Sequence, residues 1–191
     1  MNEMPQFWMI KTTPGDNLQL SYWPDFCGEQ VVAIGWEKIT VNPTVTALAN
    51  LKIDVAKSYP GSKQHIDYIA STIWGFARDW QEGDVAIICR GWAANQAKDV
   101  HLYGFAIVRG FFYDPKPRWQ WKFKRKARIR CIDADVPVSL FQNMLGAARQ
   151  TTHRIQPIRF QNFSNAIKQR FPNLWGDLII ANNSVKFWDE P

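Results

Sequence analysis

Residue types that build metal centres and disulfide frameworks are scarce in this sequence. It contains 3 cysteines and 3 histidines among 191 residues. Cys27, Cys89 and Cys131 are widely spaced and form no CxxC pair, and an odd number argues against a disulfide framework. The histidines show no HxxxH or HxE spacing, so no metal site is expected. The expected location is a reducing compartment, the cytoplasm.

Long apolar runs and nucleotide-binding motifs are also missing. No stretch approaches the roughly 18 apolar residues that a membrane helix needs, and residues 1–6 lack the basic start of a targeting segment. The sequence contains no GxSxG motif, P-loop or dinucleotide fingerprint. These absences predict a binding module with no catalytic residue and no cofactor, and they disfavour a membrane protein.

Positive charge is what the sequence has in excess. Lys and Arg number 23 against 17 Asp and Glu, which gives a formal net charge of +6 and a pI near 9.3. This balance favours a polyanionic partner. Nucleic acid is the first candidate, and an anionic membrane surface is the second.

The segment between Pro115 and Ile132 concentrates this charge, since it carries 8 basic residues and no acid. Trp119, Trp121 and Phe123 alternate with polar residues there, which is typical of a half-buried ribbon with a positive outer face. The expected role is contact with phosphates, and the alternative is a solvated edge strand protected by its charge. The predicted phosphate-binding residues are Lys116, Arg118, Lys122, Lys124, Arg125, Lys126, Arg128 and Arg154, with Arg130 and Arg149 beside them.

Apolar, β-branched runs bounded by Gly and Pro predict the strands. They lie at 7–12, 30–36, 85–89, 101–108, 111–113 and 127–132, and residues 178–180 could add another. A loop carrying Tyr22, Trp23 and Pro24 is predicted after the first strand.

Helices are predicted between Pro43 and Ser58, after the N-cap Ser62, over 139–148 and over 163–171. The second has the clearest pattern, because apolar residues recur at spacings of three and four and form one core-facing stripe. These residues are Ile66, Ile69, Ile73, Phe76 and Trp80. The elements together predict an α+β fold, a small curled β-barrel flanked by helices. One domain over 1–191 is expected, with 137–191 as a C-terminal embellishment.

Four motifs, in order along the chain, carry a family resemblance. They are FWMIKTTPG, VVAIGWEKI, EGDVAIICRG and LYGFAIVRGFFY. Between Phe7 and Ile132 the sequence resembles the EVE domain, a PUA-like domain related to YTH domains. The resemblance implies a small β-barrel with flanking helices and an aromatic cage for a flipped or unpaired modified base. Such domains are readers in methylation-dependent restriction systems of the McrB type, so the resemblance implies a reader of methylated DNA.

A base removed from a duplex must be held between rings and read along its edge by polar groups. Trp23, Trp36 and Trp92 follow or interrupt predicted strands, where Gly and polar residues cluster, and are the predicted base-binding rings. The alternative is that one or more of them forms a hydrophobic lid. The predicted edge readers, on the same loops, are Lys11, Thr12, Asp25, Asn95 and Asp99.

The expected function is a nucleic-acid-binding module that reads a modified base, with DNA favoured, in a restriction or defence setting. A nuclease or NTPase component could be fused to it or act as its partner. The first alternative is an RNA-binding PUA-like module in RNA processing. The second is a Mg²⁺-dependent nuclease that uses Asp99 with Asp114-Pro115-Lys116, although Pro115 fits the strand-end motif of such enzymes poorly.

Overall fold

The computed structural model of the chain describes residues 5–12, 21–90, 99–117, 121–145, 151–170, 172, 178–181 and 184–187. The strands in these ranges are β1 (Phe7–Lys11), β2 (Val31–Ile34), β3 (Val85–Cys89), β4 (Asp99–Tyr113), β5 (Phe123–Pro137), β6 (Thr152–Ile155), β7 (Leu178–Ala181) and β8 (Ser184–Phe187). The helices are α1 (Trp23–Glu29), α2 (Leu48–Ser58), α3 (Lys63–Arg78), α4 (Val138–Leu145) and α5 (Pro157–Arg170).

Six strands form one curled sheet in the order β2-β5-β4-β3-β1-β6. Strands β1 and β3 are parallel, and the other neighbours are antiparallel. Helices flank this half-barrel, so the predicted α+β fold is confirmed. Strands β7 and β8 form a separate two-stranded sheet.

The hairpin of β4 and β5 bends the sheet. Each strand has 15 residues, and their register shifts between Leu102 and Gly104 and again between Val108 and Phe111. Such bulges bend a strand and increase its twist. At the first shift a Cβ on Gly104 would collide with the backbone oxygen of Arg130, so the close approach of the strands requires glycine.

Two hydrophobic cores lie on opposite faces of the sheet. We call the core that contains α2 and α3 the α3-side core, and the core that contains α5 the α5-side core. In β1, Trp8 and Ile10 face the α3-side core, whereas Phe7 and Met9 face the α5-side core. Strand β3 is buried on both faces, which explains its continuous apolar run. Each large apolar side chain buried in these cores contributes about 1.5 to 3 kcal/mol.

The central elements agree with the sequence patterns. Helix α3 begins after Ser62, whose hydroxyl accepts a hydrogen bond from the backbone N–H of His65 at 3.2 Å, and its predicted apolar stripe enters the α3-side core. Helix α2 and strand β3 lie where they were predicted. No helix in the described parts of the chain is long and apolar enough to cross a bilayer.

Other predicted boundaries were wrong. The predicted loop at Trp23 is the short helix α1, with Pro24 in its first turn and Gln30 ending it at φ 50°. The predicted strands 101–108 and 111–113 are one strand, and β5 runs from Phe123 to Pro137 rather than over 127–132. Helix α5 begins at Pro157, six residues before the predicted start at 163, and the edge strand β6 was not predicted.

Strand β6 and helix α5, which follow residue 137, extend the same sheet and core. Strand β6 pairs with β1, and Phe160 of α5 stacks on Phe7 at 4.0 Å between ring centroids. Phe163 and Ile167 are buried in the α5-side core.

Candidate nucleic-acid interface

Several half-buried aromatic rings pack against the α3-side core, and five of them are linked in pairs or through hydrogen bonds to the end of β1. They are Tyr22, Trp23, Trp36, Tyr68 and Tyr103, and we call them the aromatic rim. Of these, sequence reasoning selected Trp23 and Trp36 as base-binding rings. Tyr68 and Tyr103 were not predicted to belong to the site. The only sequence features that point to them are the position of Tyr68 beside the apolar stripe of α3 and the position of Tyr103 in the YGFAIVRG motif.

Trp36 occupies an unusual backbone conformation. It follows Gly35 at the end of β2 and has φ 72°, in the left-handed region. Its ring meets the ring of Tyr68 edge-on, with 6.4 Å between centroids. Its carbonyl accepts a hydrogen bond from the backbone N–H of Ile39, which closes a turn. This turn holds the Trp36 ring against α3.

Hydrogen bonds join Tyr68 to the end of β1. The Tyr68 hydroxyl accepts from the backbone N–H of Thr151 at 2.9 Å and lies 3.1 Å from the Thr151 hydroxyl. The Thr151 carbonyl in turn accepts from the backbone N–H of Lys11. Trp36, Tyr68 and the residues that follow β1 are therefore parts of one connected arrangement.

Thr12 joins this arrangement to α1. It is buried, its backbone bonds to Cys89 and Tyr22, and its hydroxyl lies 3.2 Å from that of Ser21. The Ser21 hydroxyl also accepts from the backbone N–H of Trp23 at 3.3 Å. The structure thus brings Thr12, a predicted edge reader, close to Trp23, a predicted base-binding ring, with Ser21 between them.

The two predicted rings occupy different positions on the rim. Trp23 stacks on Tyr103 of β4, with centroids 5.3 Å apart and an angle of 17° between planes, so one face of its ring is covered. Tyr22 packs edge-on against the buried Trp121 at 4.5 Å. The rim therefore presents two pairs of rings, Trp23 with Tyr103 and Trp36 with Tyr68.

Lys11 belongs to the opposite face of the sheet. It alternates with Phe7 and Met9, pairs with Cys89 in the register, and is half-buried. Burial lowers the pKa of the Lys11 ammonium, and the nearby Cys89 opposes this shift. By the alternation of β1, Lys11 lies on the opposite face of the sheet from Trp36.

The remaining predicted pocket residues differ in position. Asp25 is half-buried in the first turn of α1, near the rim. Asp99 is exposed at the start of β4. Trp92 and Asn95 lie outside the described residues.

The basic segment of β5 is less uniform than predicted. Arg125 is 3% exposed, and its guanidinium donates to the backbone carbonyls of Phe76 (2.8 Å), Ala77 (3.1 Å) and Arg109 (3.1 Å). Burial lowers the pKa of the Arg125 guanidinium to about 10, which still leaves it charged at neutral pH. A side chain held in this way cannot reach a phosphate, so the prediction for Arg125 was wrong.

The prediction that Lys124 binds phosphate was wrong for a similar reason. It is 4% exposed, and its ammonium lies 3.3 Å from Asp114 Oδ2 and 3.5 Å from Glu29 Oε2. Its charge is therefore neutralised inside the protein. Lys122 is partly engaged as well, because its ammonium donates to the carbonyl of Ile39 at 2.9 Å.

Three further basic side chains of β5 share one face of the strand. Lys126 and Arg128 are exposed and Arg130 is half-buried, and we call these three the basic strip. Arg128 and Arg130 pair with Ile107 and Phe105, which face the α5-side core, so the strip lies on that face, beside the core. Lys116 is exposed in the turn before β5.

Arg154 lies elsewhere. It pairs with Trp8 in the register and lines a groove of about 530 Å³ between α3 and β6, together with Tyr68 and Trp80. It is therefore on the α3 side of the sheet, opposite the basic strip. Arg118 and Arg149 lie outside the described residues.

The nuclease alternative is not supported by geometry. Asp99 begins β4 and Asp114 follows its end, so their carboxylates lie at opposite ends of this 15-residue strand, too far apart for one ion. Asp114 is instead paired with Lys124. No group of three or more His, Cys, Asp and Glu side chains within the described ranges could hold a metal ion.

No protein-family model matches this chain, and no curated protein matches it either. Among solved structures, one described as a hypothetical protein from Leishmania major is similar to it, with a TM-score of 0.47 and 13% identity. That match covers 89% of this chain and 99% of the other. A likeness this distant carries no functional information, so the function of this chain rests on its own residues.

Proposed function

We propose that the protein is a nucleic-acid-binding module that holds one base against the aromatic rim while basic side chains at the surface contact phosphates. The observation that carries the proposal is Trp36, a half-buried ring on a left-handed backbone. Such a conformation costs a bulky residue about 1 to 3 kcal/mol, and strain of this size clusters at functional sites. The hydrogen bonds from Tyr68 to the end of β1 hold the ring's neighbour in place.

Polar groups beside the rim are suited to the edge of a base. The half-buried hydroxyls of Ser21 and Thr151 lie along the hydrogen-bonded chain that joins the two ring pairs, and the buried hydroxyl of Thr12 supports that of Ser21. A hydroxyl both donates and accepts, so this set accommodates an exocyclic amine or a ring nitrogen. Asp25 on α1 adds a carboxylate acceptor near the rim.

We further propose DNA as the polymer and a methylated base as the ligand, in a restriction or defence setting. The support is the resemblance of the four sequence motifs to the EVE domain. In that setting the chain reads the base, and a fused or partner nuclease or NTPase component acts on the DNA. Binding of an unpaired RNA base by the same rings is the alternative, because single-stranded RNA bases also stack on aromatic side chains.

The test is binding of the reduced chain to short DNA and RNA oligonucleotides, unmodified or carrying one methylated cytosine or adenine, by fluorescence anisotropy. Trp36→Ala is compared with Trp74→Ala. Trp74 is also half-buried on the α3-side core, but it stacks under the guanidinium of Arg78 at 4.1 Å, outside the rim. Stacking contributes about 1 to 3 kcal/mol, so Trp36→Ala should weaken binding by about 5- to 150-fold.

Trp74→Ala should leave the affinity unchanged. A preference for one methylated DNA base that disappears in Trp36→Ala supports the full proposal, and the same result with RNA supports the alternative. If both variants bind every oligonucleotide as the parent does, the rim holds no base and the proposal is wrong.

A further inference from the structure

Two thiols far apart in the sequence meet in the structure. The sulfurs of Cys27 on α1 and Cys131 on β5 lie 3.2 Å apart, although 104 positions separate the residues. Both are free thiols. The sulfur atoms of a disulfide are about 2.05 Å apart, so these two sulfurs need to approach each other by only about 1.2 Å to form one.

The surrounding contacts already fix both partners. Trp23, one helical turn before Cys27, stacks on Tyr103 of β4, and the neighbouring Gly104 pairs with Cys131 across the strands. At the other end of α1, the Gln30 side chain accepts from the backbone N–H of Ile129 at 3.2 Å. The helix therefore lies against β4 and β5 before any bond forms, and bond formation does not require it to move there.

Exposure differs among the three cysteines. Cys131 is exposed, Cys27 is half-buried and Cys89 is fully buried. Burial and the contact with Cys131 raise the pKa of the Cys27 thiol to about 12, so Cys27 keeps its proton at neutral pH. An oxidant in solution therefore meets the sulfur of Cys131 first, and the sulfur of Cys27 is placed to react second.

We propose that Cys27 and Cys131 are a peroxide-sensitive pair that closes into a reversible intramolecular disulfide. Hydrogen peroxide oxidises the Cys131 thiol to a sulfenic acid and is itself reduced to water. The Cys27 sulfur then attacks the Cys131 sulfur, the S–O bond breaks, and the hydroxyl leaves as a second water with the Cys27 proton. A dithiol reductant returns both thiols, so the pair stays reduced in a reducing compartment and closes under oxidation.

The bond would join the helix that carries Trp23 to the strand that carries the basic strip. This inference is independent of the proposed function, because formation of the bond does not depend on a ligand.

The test is oxidation of the reduced full chain with hydrogen peroxide, followed by alkylation, digestion without reductant and peptide mass analysis. We expect one linked peptide pair containing Cys27 and Cys131, a chain mass lower by two hydrogen atoms, and full reversal by dithiothreitol. Cys89 should remain a thiol that is alkylated only after unfolding. The oxidised chain should also melt at a higher temperature than the reduced chain.

Cys27→Ser is the informative variant, because it keeps the exposed Cys131 but removes its partner. It should lose the intramolecular link and accumulate the sulfenic or further oxidised acid at Cys131. The proposal is wrong if the parent chain forms covalent dimers through Cys131, or if Cys131 is oxidised to an acid while Cys27 is still alkylated.

Discussion

At the scale of single residues, the basic side chains of β5 have opposite roles although they are adjacent in the sequence. Arg125 donates to three backbone carbonyls inside the α3-side core, while Lys126 is exposed. Replacing Arg125 by Met keeps much of the aliphatic part of the side chain but leaves these carbonyls without their hydrogen-bond donor. We expect a loss of about 2 to 5 kcal/mol in the free energy of unfolding, measured by urea denaturation.

Lys126→Met is the matched control for this prediction. It removes the same formal charge one position away and should change the free energy of unfolding by less than about 0.5 kcal/mol. If instead both variants unfold at the same urea concentration as the parent, Arg125 has no structural role.

Part of this division could be predicted from the sequence, and part could not. The alternation of Phe123, Arg125 and Ala127 already places Arg125 on the inward face. Nothing in the local pattern indicates that Lys124 is buried. Its partners, Glu29 and Asp114, come from α1 and from the turn before β5, so its environment depends on tertiary structure.

At the scale of elements, the hairpin of β4 and β5 is pinned where its register shifts. His101 Nδ1 lies 2.8 Å from Asp135 Oδ1 and His101 Nε2 lies 2.8 Å from Asp133 Oδ1, and Asp133 has φ 60°. Only the imidazolium carries an N–H on both nitrogens, so a neutral ring can donate to just one of these carboxylates. The hairpin is therefore linked most strongly when His101 is protonated.

This arrangement predicts a pH dependence of stability. Partial burial alone would lower the pKa of His101, but the hydrogen bonds and charges of Asp135 and Asp133 outweigh it and raise the pKa above the ordinary value of 6.5. A raised pKa in the folded state means that the stabilisation is complete below about pH 6.5 and is lost as the pH rises through the folded value. The melting temperature of the parent minus that of His101→Gln should be larger near about pH 5.5 than near about pH 8.5.

His65→Gln is the control, since His65 is exposed on α3 and its side chain makes no hydrogen bond to a carboxylate among the described residues. The difference between His65→Gln and the parent, measured at the same two pH values, is the baseline for the comparison with His101→Gln. A difference for His101→Gln that grows towards alkaline pH would contradict the imidazolium arrangement.

The accuracy of the predicted elements follows the length of their patterns. Helix α3 has 16 residues and shows its apolar stripe several times, so the period alone identifies it. Helix α1 has 7 residues and includes Pro24 and Gly28, so its sequence resembles a loop, and contacts with Tyr103 and Trp121 stabilise it. Strand β6 has only 4 residues, and its pairing with β1 comes from the fold rather than from a pattern.

At the scale of the whole molecule, the sheet separates two surfaces that the sequence does not distinguish. The predicted phosphate-binding residues were one set, but the basic strip lies on the α5 side of the sheet and Arg154 on the α3 side. The aromatic rim was predicted only in part, because Tyr68 and Tyr103 come near Trp36 and Trp23 through the packing of α3 and β4. The composition predicts an anionic partner. Only the fold determines which basic side chains lie on the same face and could contact the phosphates of one nucleic-acid strand.

The salt dependence of binding can distinguish the two surfaces. Each phosphate that a cation neutralises contributes a slope of about −0.9 to the plot of log affinity against log salt concentration for duplex DNA, and about −0.7 for single strands. The double variant Lys126→Met with Arg128→Met should therefore reduce the magnitude of this slope by roughly 1.4 to 1.8, whichever base is offered. Arg154→Met removes one charge from the other face and should leave the slope unchanged if the backbone follows β5. An unchanged slope in the double variant, with a reduced slope in Arg154→Met, would instead place the nucleic acid along the groove between α3 and β6.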